Sequence, residues 1–200
     1  MKFYFTNFFL IAIFAVFNGC SPFGPGSLTN HVSIKTNQRL INVELPRGYC
    51  IDKNAGASTD YAKTSVITNC VLIRQKNSTV FGRRPVDSVI NLTHTDIKLP
   101  GSLSEKDFLN NLTKDEKLEA FVTNSKSIRL RTIDKAVRNG FVVINLQQTS
   151  ATSSVKKVRK YVFLVDQRIA IMTIVNIDRK FKPEYKKFEN LIKLLKKASS

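Results

Sequence analysis

The stretch KYVFLVDQRIAIMTIVNI, Lys160 to Ile177, decides the fold. Two apolar runs flank Asp166 and Gln167, and polar residues at such a break return the chain on itself, so Val165 to Arg168 reads as a hairpin turn. FVVINLQQ, Phe141 to Gln148, comes just before, and these last three strands predict an antiparallel meander. Further upstream SIRLRTI alternates Ile128 and Leu130 with Arg129 and Arg131, the period of a half-buried strand. Downstream, Pro183 opens a helix whose stripe of Tyr185, Phe188, Leu191, Ile192, Leu194 and Leu195 is expected to pack on the sheet.

The first half follows the same grammar. RLINVEL puts Ile41, Val43 and Leu45 on one face of a strand that Pro46 and Gly48 end. Asp52 to Asp60 is expected as a polar loop, Ser65 to Arg74 as a second strand, and Val86 to Leu92 as a third after a basic turn at Arg83 and Arg84. At LSEKDF, Ser104 caps a helix, with Leu103 and Phe108 spaced as a hydrophobic staple. Thr113 and Glu116 repeat the capping-box spacing, so Ser104 to Val122 predicts two short helices or one broken one. Strands, helix, strands, helix is the order of an α+β fold: an antiparallel β-sheet with helices packed on one face, an α/β sandwich.

LPRGYCID, Leu45 to Asp52, followed by a second cysteine in a strand, a helix, a meander and a closing amphipathic helix, resembles uncharacterised exported proteins of alphaproteobacteria. In element order the chain is also similar to the PsbP-like fold. That resemblance implies an adaptor or assembly role rather than catalysis.

The N-terminus, MKFYFTNFFLIAIFAVFNGC, has Lys2 as a positive start and an unbroken apolar run from Phe8 to Phe17, the layout of a secretory signal. The run is about half the roughly 20 residues that span a bilayer, which makes an uncleaved anchor the weaker reading. Gly19 and Cys20 resemble the lipobox of bacterial lipoproteins, whose cysteine receives diacylglycerol and becomes the new N-terminus. The alternative is ordinary signal cleavage, which leaves Cys20 a free thiol. The chain has three cysteines, so assigning Cys20 to lipid leaves Cys50 and Cys70 to form one disulfide, as an oxidising periplasm permits. Two buried free thiols are the other possibility. The expected organisation is a signal peptide over 1–19, a lipid-anchored tether over 20–38 that includes the Ser/Pro/Gly-rich Ser21 to Ser27, and a single domain over 39–200.

Catalytic chemistry finds little support. The two histidines, His31 and His94, have no second His or Cys at metal-ligand spacing, so no metal and no cofactor is expected. Asp52, Asp60, Asp87, Asp96 and Asp166 lie near turns or strand ends, where local hydrogen bonds account for them. Ser65 lacks the Gly-flanked elbow of a hydrolase, and no Gly-rich phosphate loop occurs. The sequons at Asn77, Asn91 and Asn111 have no role behind a bacterial-type signal.

Charge is the anomaly. Against 15 acidic residues stand 32 basic ones, a net +17, and removing residues 1–19, which carry only Lys2, leaves +16. Such imbalance implies an anionic partner or surface. Lys156, Lys157, Arg159 and Lys160 form the densest run, joined by Arg129 and Arg131 from a neighbouring strand, while Lys186, Lys187, Lys193, Lys196 and Lys197 line the last helix. Anionic lipid, lipopolysaccharide or an acidic envelope protein fit such a surface; nucleic acid is not expected, because readout motifs are missing and export removes the target. The plainer reading is that these lysines protect strand edges and keep the domain soluble.

The sequence thus predicts a non-enzymatic, lipid-anchored protein of the bacterial cell envelope, facing the periplasm, that binds or supports another envelope component. A soluble periplasmic binding domain and an envelope hydrolase with a dispersed site are the alternatives. Mass spectrometry of the mature N-terminus is expected to find a diacylated Cys20; an unmodified N-terminus beyond it overturns the anchor.

Overall fold

The computed structural model describes residues 28–36, 39–75, 88–116, 130–148, 157–176 and 184–199. The expected signal segment, Cys20, Arg129 and Lys156 lie outside them, as do Val86, Asp87 and Pro183.

The stretch that decides the fold forms two strands, here β9 (Lys157–Val165) and β10 (Arg168–Asn176), paired antiparallel from Arg168↔Val165 to Asn176↔Lys157. Asp166 and Gln167 both take positive φ, 52° and 61°, the backbone that joins twisted strands in a two-residue loop. β7 (Leu130–Arg138) and β8 (Phe141–Gln148) meet at a second such turn, Asn139 and Gly140, with φ of 49° and 76°. β8 pairs with β9, which completes the expected meander.

On the other side of β10 lies β6 (Ser88–Lys98), then β5 (Ala62–Asn69), β4 (Tyr49–Ser58) and the short β1 (Leu28–Thr29). The eight described strands of this sheet run β1-β4-β5-β6-β10-β9-β8-β7, with every pairing antiparallel. β2 (His31–Lys35) and β3 (Leu40–Glu44) form a separate hairpin. Three helices complete the described chain: α1 (Cys70–Gln75), α2 (Glu105–Lys114) and α3 (Tyr185–Ser199).

The α+β class, the antiparallel sheet and the disulfide are as expected. The helices, however, do not share a face. Phe188, Leu191, Ile192 and Leu195 of α3 pack with Phe141, Val143, Tyr161, Phe163, Met172 and Ile174, and Ile41 and Val43 of the β2–β3 hairpin join that layer. Phe108, Leu109 and Leu112 of α2 pack on Val142, Ile144, Val162 and Leu164, which project from the opposite face. β9 explains why: from Tyr161 to Val165 every residue is buried, so both faces of the strand need cover. Leu194, assigned to the apolar stripe of the last helix, is 51% exposed.

Several boundaries also move. β4 runs on to Ser58 through the expected polar loop, with its register to β5 shifting between Asp52 and Ala57. The strand expected to reach Arg74 ends at Asn69, whose Oδ1 accepts the Val71 N–H at 3.0 Å, and Cys70 begins α1. β6 extends past Leu92 to Lys98. Among the described residues, Leu28 and Thr29 already pair with β4, inside the segment expected as tether. Ser104 does cap α2: its Oγ accepts the Asp107 N–H at 3.1 Å, and Leu103 packs against the α2 cluster as the staple requires. The helix ends at Lys114.

Cys50, in β4, and Cys70 are bonded across 20 residues of sequence, and the Cys70 N–H donates to the Gly48 carbonyl at 2.9 Å. The bridge ties the β4–β5 hairpin shut at the end away from its turn. Closing a loop of this length stabilises by roughly 3 kcal/mol. Replacing both cysteines by Ala is expected to lower the thermal midpoint by about 6 to 12 °C for a chain of this size, measured by circular dichroism.

Candidate functional site

Strand periodicity divides the basic residues singled out in the sequence. Arg159 lies on the α3 side of the sheet: its Nε donates to Asn145 Oδ1 at 2.7 Å and its guanidinium carbon sits 3.7 Å from the ring centre of Tyr185. Lys157, two residues back, is exposed on that same side. The pairings Arg131↔Gln147 and Gln147↔Lys157 bring exposed Arg131 of the edge strand into the same row. Asp134 stands opposite Asn145 and brings a carboxylate to it.

Lys160 does not join them. It alternates with Tyr161 and so faces the α2 side, between Val158 and Val162, at 9% exposure. Burial pushes its ammonium below the usual value. Tyr161, on the Arg159 side, has its phenol pushed up to about 12, chiefly by burial. Of the expected anion-binding set, Arg131, Lys157 and Arg159 therefore form one patch, and Lys160 is a separate buried residue.

A second arrangement was not singled out in the sequence. Where β2 crosses β5 and β6, a cavity of about 330 Å³ opens, lined by Val32, Ile34 and Lys35 of β2, Lys63 and Ser65 of β5, Leu92, His94 and Asp96 of β6, and Arg168. Alternation along β6 aims Leu92, His94 and Asp96 to one side, continuing the α3-side face of Ile90. Lys63 stands directly opposite His94, and Ser65 opposite Leu92. β6 runs from His94 to Lys98 while β10 advances only from Ala170 to Arg168, an irregularity pinned by the Thr95 hydroxyl, which donates to the Ile169 carbonyl at 3.0 Å. Beside it, Arg168 Nη1 donates to Asp96 Oδ1 at 2.8 Å; the arginine side chain is 7% exposed, the aspartate 59%.

His94 is 9% exposed, and its Nε2 has no hydrogen-bond partner among the described residues. Burial holds the imidazole below its usual value; the Arg168 guanidinium adds to that shift, and the Asp96 and Asp166 carboxylates oppose it. Among the described residues no hydroxyl is bonded to Nε2, and the Asp96 carboxylate engages Arg168. The cavity has a buried apolar and polar floor beneath a rim of exposed lysines. Among the described residues no group of three His, Cys, Asp or Glu side chains is placed to hold a metal, and no helix is long and apolar enough to cross a membrane.

No family model and no curated protein matches the chain, so the resemblances drawn from its motifs gain no support from sequence comparison. Among solved structures, a point mutant of the protein Mog1 is similar with a TM-score of 0.40 and 10% identity, over 81% of this chain and 84% of that one. LpqN, described as involved in cell envelope biogenesis of Mycobacterium tuberculosis, is similar with a TM-score of 0.25 and 10% identity, over 88% and 84%. At these scores the likenesses carry no functional argument.

The depressed His94 value has a consequence for stability. An unfolded histidine titrates near 6.5, so below that pH the unfolded chain takes up a proton that the folded chain resists, and stability falls as pH drops toward the native value. The unfolding midpoint is expected to decline from pH 7 to 5.5, and to decline less in His94→Gln. Equal slopes for the two proteins count against it.

Proposed function

We propose that this chain is a non-enzymatic, lipid-anchored envelope protein that holds an anionic component, and that its contact surface is the row of Arg131, Lys157 and Arg159 on the α3 side of the sheet. The observation that carries this reading is cross-strand: residues 26 positions apart in sequence, Arg131 and Lys157, flank Gln147 in one row, with Arg159 beside it. Stacking on Tyr185 and the bond to Asn145 hold Arg159 in place, so less side-chain freedom is lost on binding. The mature chain's net +16, the +17 of the full sequence less Lys2, supplies the long-range attraction. Anionic lipid headgroups are the first candidate, with lipopolysaccharide or an acidic envelope protein offering the same charge. For the hydrolytic alternative, no hydroxyl is bonded to His94 Nε2 among the described residues.

A basic residue close to an anionic surface contributes about 1 kcal/mol, so losing two is expected to weaken binding roughly 10- to 30-fold at low salt. The experiment is co-sedimentation of the unlipidated protein with vesicles containing phosphatidylglycerol, comparing the native sequence with Arg131→Gln/Lys157→Gln and with Lys160→Gln. The double variant is expected to lose binding and the buried-site variant to keep it. Equal binding by all three, or binding that ignores salt, overturns the surface.

A further inference from the structure

We propose that the cavity between β2 and the β5–β6 pair is a binding site for a small organic oxyanion, whose charged end sits between Lys63 and His94 and whose short apolar body lies on Val32, Ile34 and Leu92. The inference is independent of the basic row, whose residues do not line this cavity.

Three observations converge. First, the floor combines the buried apolar side chains of Val32, Ile34 and Leu92 with three buried polar ones, Thr36, His94 and Arg168. That mixture, at about 330 Å³, lies at the lower end of the roughly 300 to 1,000 Å³ of small-molecule sites. Second, His94 is nine-tenths buried and its Nε2 has no partner among the described residues, an arrangement that costs free energy until something bonds to it. Third, the charges are unbalanced. Asp96 is the one carboxylate lining the cavity among the described residues, and Arg168 already engages it at 2.8 Å. Lys35 and Lys63 remain on the rim as uncompensated lining charges. A cation would meet three positive side chains there, and an uncharged ligand would leave the lysines unused. A single carboxylate or phosphate satisfies both Lys63 and the imidazole, because these two stand opposite each other across β5 and β6.

The site is coupled to protonation. His94 faces Lys63 from β5, Lys35 from β2, Arg168 from β10, Asp96 on its own strand and Asp166 from the β9–β10 turn. A bound anion favours the imidazolium and raises its midpoint. By reciprocity the anion binds more tightly as pH falls.

The chain contains only two histidines, so proton NMR of the full chain, kept in solution by a nonionic detergent, reads the site directly. His94→Gln identifies the His94 imidazole signal, and His31, on β2 and outside the cavity lining, is the internal reference. The probes are butanoate and butyl phosphate, with butanol as the uncharged control. The expected result is a saturable shift of the His94 signal alone, half-complete below about 10 mM. It is further expected to move the His94 titration midpoint upward and to weaken roughly three-fold in Lys63→Gln, as for loss of one partly screened charge. The stronger of the two anions then identifies the headgroup. The proposal is overturned if both histidines shift together, if butanol matches the anions, or if neither anion shifts His94. Each outcome leaves vesicle binding by Arg131 and Lys157 to be judged separately.

Discussion

Everything in this fold depends on burying β9 and β10 from both sides. Tyr161 and Phe163 point into one layer and Val162 and Leu164 into the other, and all four are buried. Leaving either face wet would expose several large side chains, each worth about 1.5 to 3 kcal/mol of burial. α3 with the β2–β3 hairpin covers one side and α2 covers the other. Because the two layers are built from distant parts of the chain, something must hold them at one edge of the sheet. Lys196 does so: its ammonium donates to Glu105 in the first turn of α2 and, at 2.7 Å, to the carbonyl of Gly140 in the β7–β8 turn. One side chain thus joins both helices and the turn between two strands.

The far half of the sheet lacks such cover. β4 and β5 reach beyond the helices, their register slips between Asp52 and Ala57, and much of β4 after Asp52 is exposed. Here the disulfide, the short α1 and the β2–β3 hairpin supply the cover. Val32 and Ile34 reach the core from that hairpin, but it ends before covering the first residues of β5 and the last of β6, and the cavity around His94 is the gap it leaves.

Much of this was legible in the sequence. The meander, the capped helix at Ser104, the closing amphipathic helix and the Cys50–Cys70 pair follow from local chemistry, where a turn residue, a cap or a cysteine count suffices. The division of helices between faces was expected wrongly, although a signal for it was present: YVFLV has no polar alternation, which marks a strand buried on both sides. Asn139 and Gly140 were a second such signal, the dipeptide best suited to a hairpin with φ positive at both positions. What could not be read is whatever depends on register. The Asp52 to Asp60 stretch looks like a loop because its residues are small and polar, and only pairing with β5 makes it a strand. Likewise nothing near His94 in sequence announces Lys63 or Arg168; β5 and β10 bring them there.

The basic run shows the same limit from the other direction. In a strand, adjacent residues face opposite ways, so a linear cluster such as Lys157 to Lys160 cannot form one patch. Arg159 goes to the α3 side with Lys157, and Lys160 to the interior. A positive surface on a sheet has to be assembled across strands, at the spacing of about 5 Å between neighbours, and not along them. That is why Arg131, 26 residues from Lys157, is the more relevant companion to it than Lys160. The general consequence for a strongly basic β-rich chain is that net charge gives the strength of the long-range field, while the register alone decides where that field has a surface to act through.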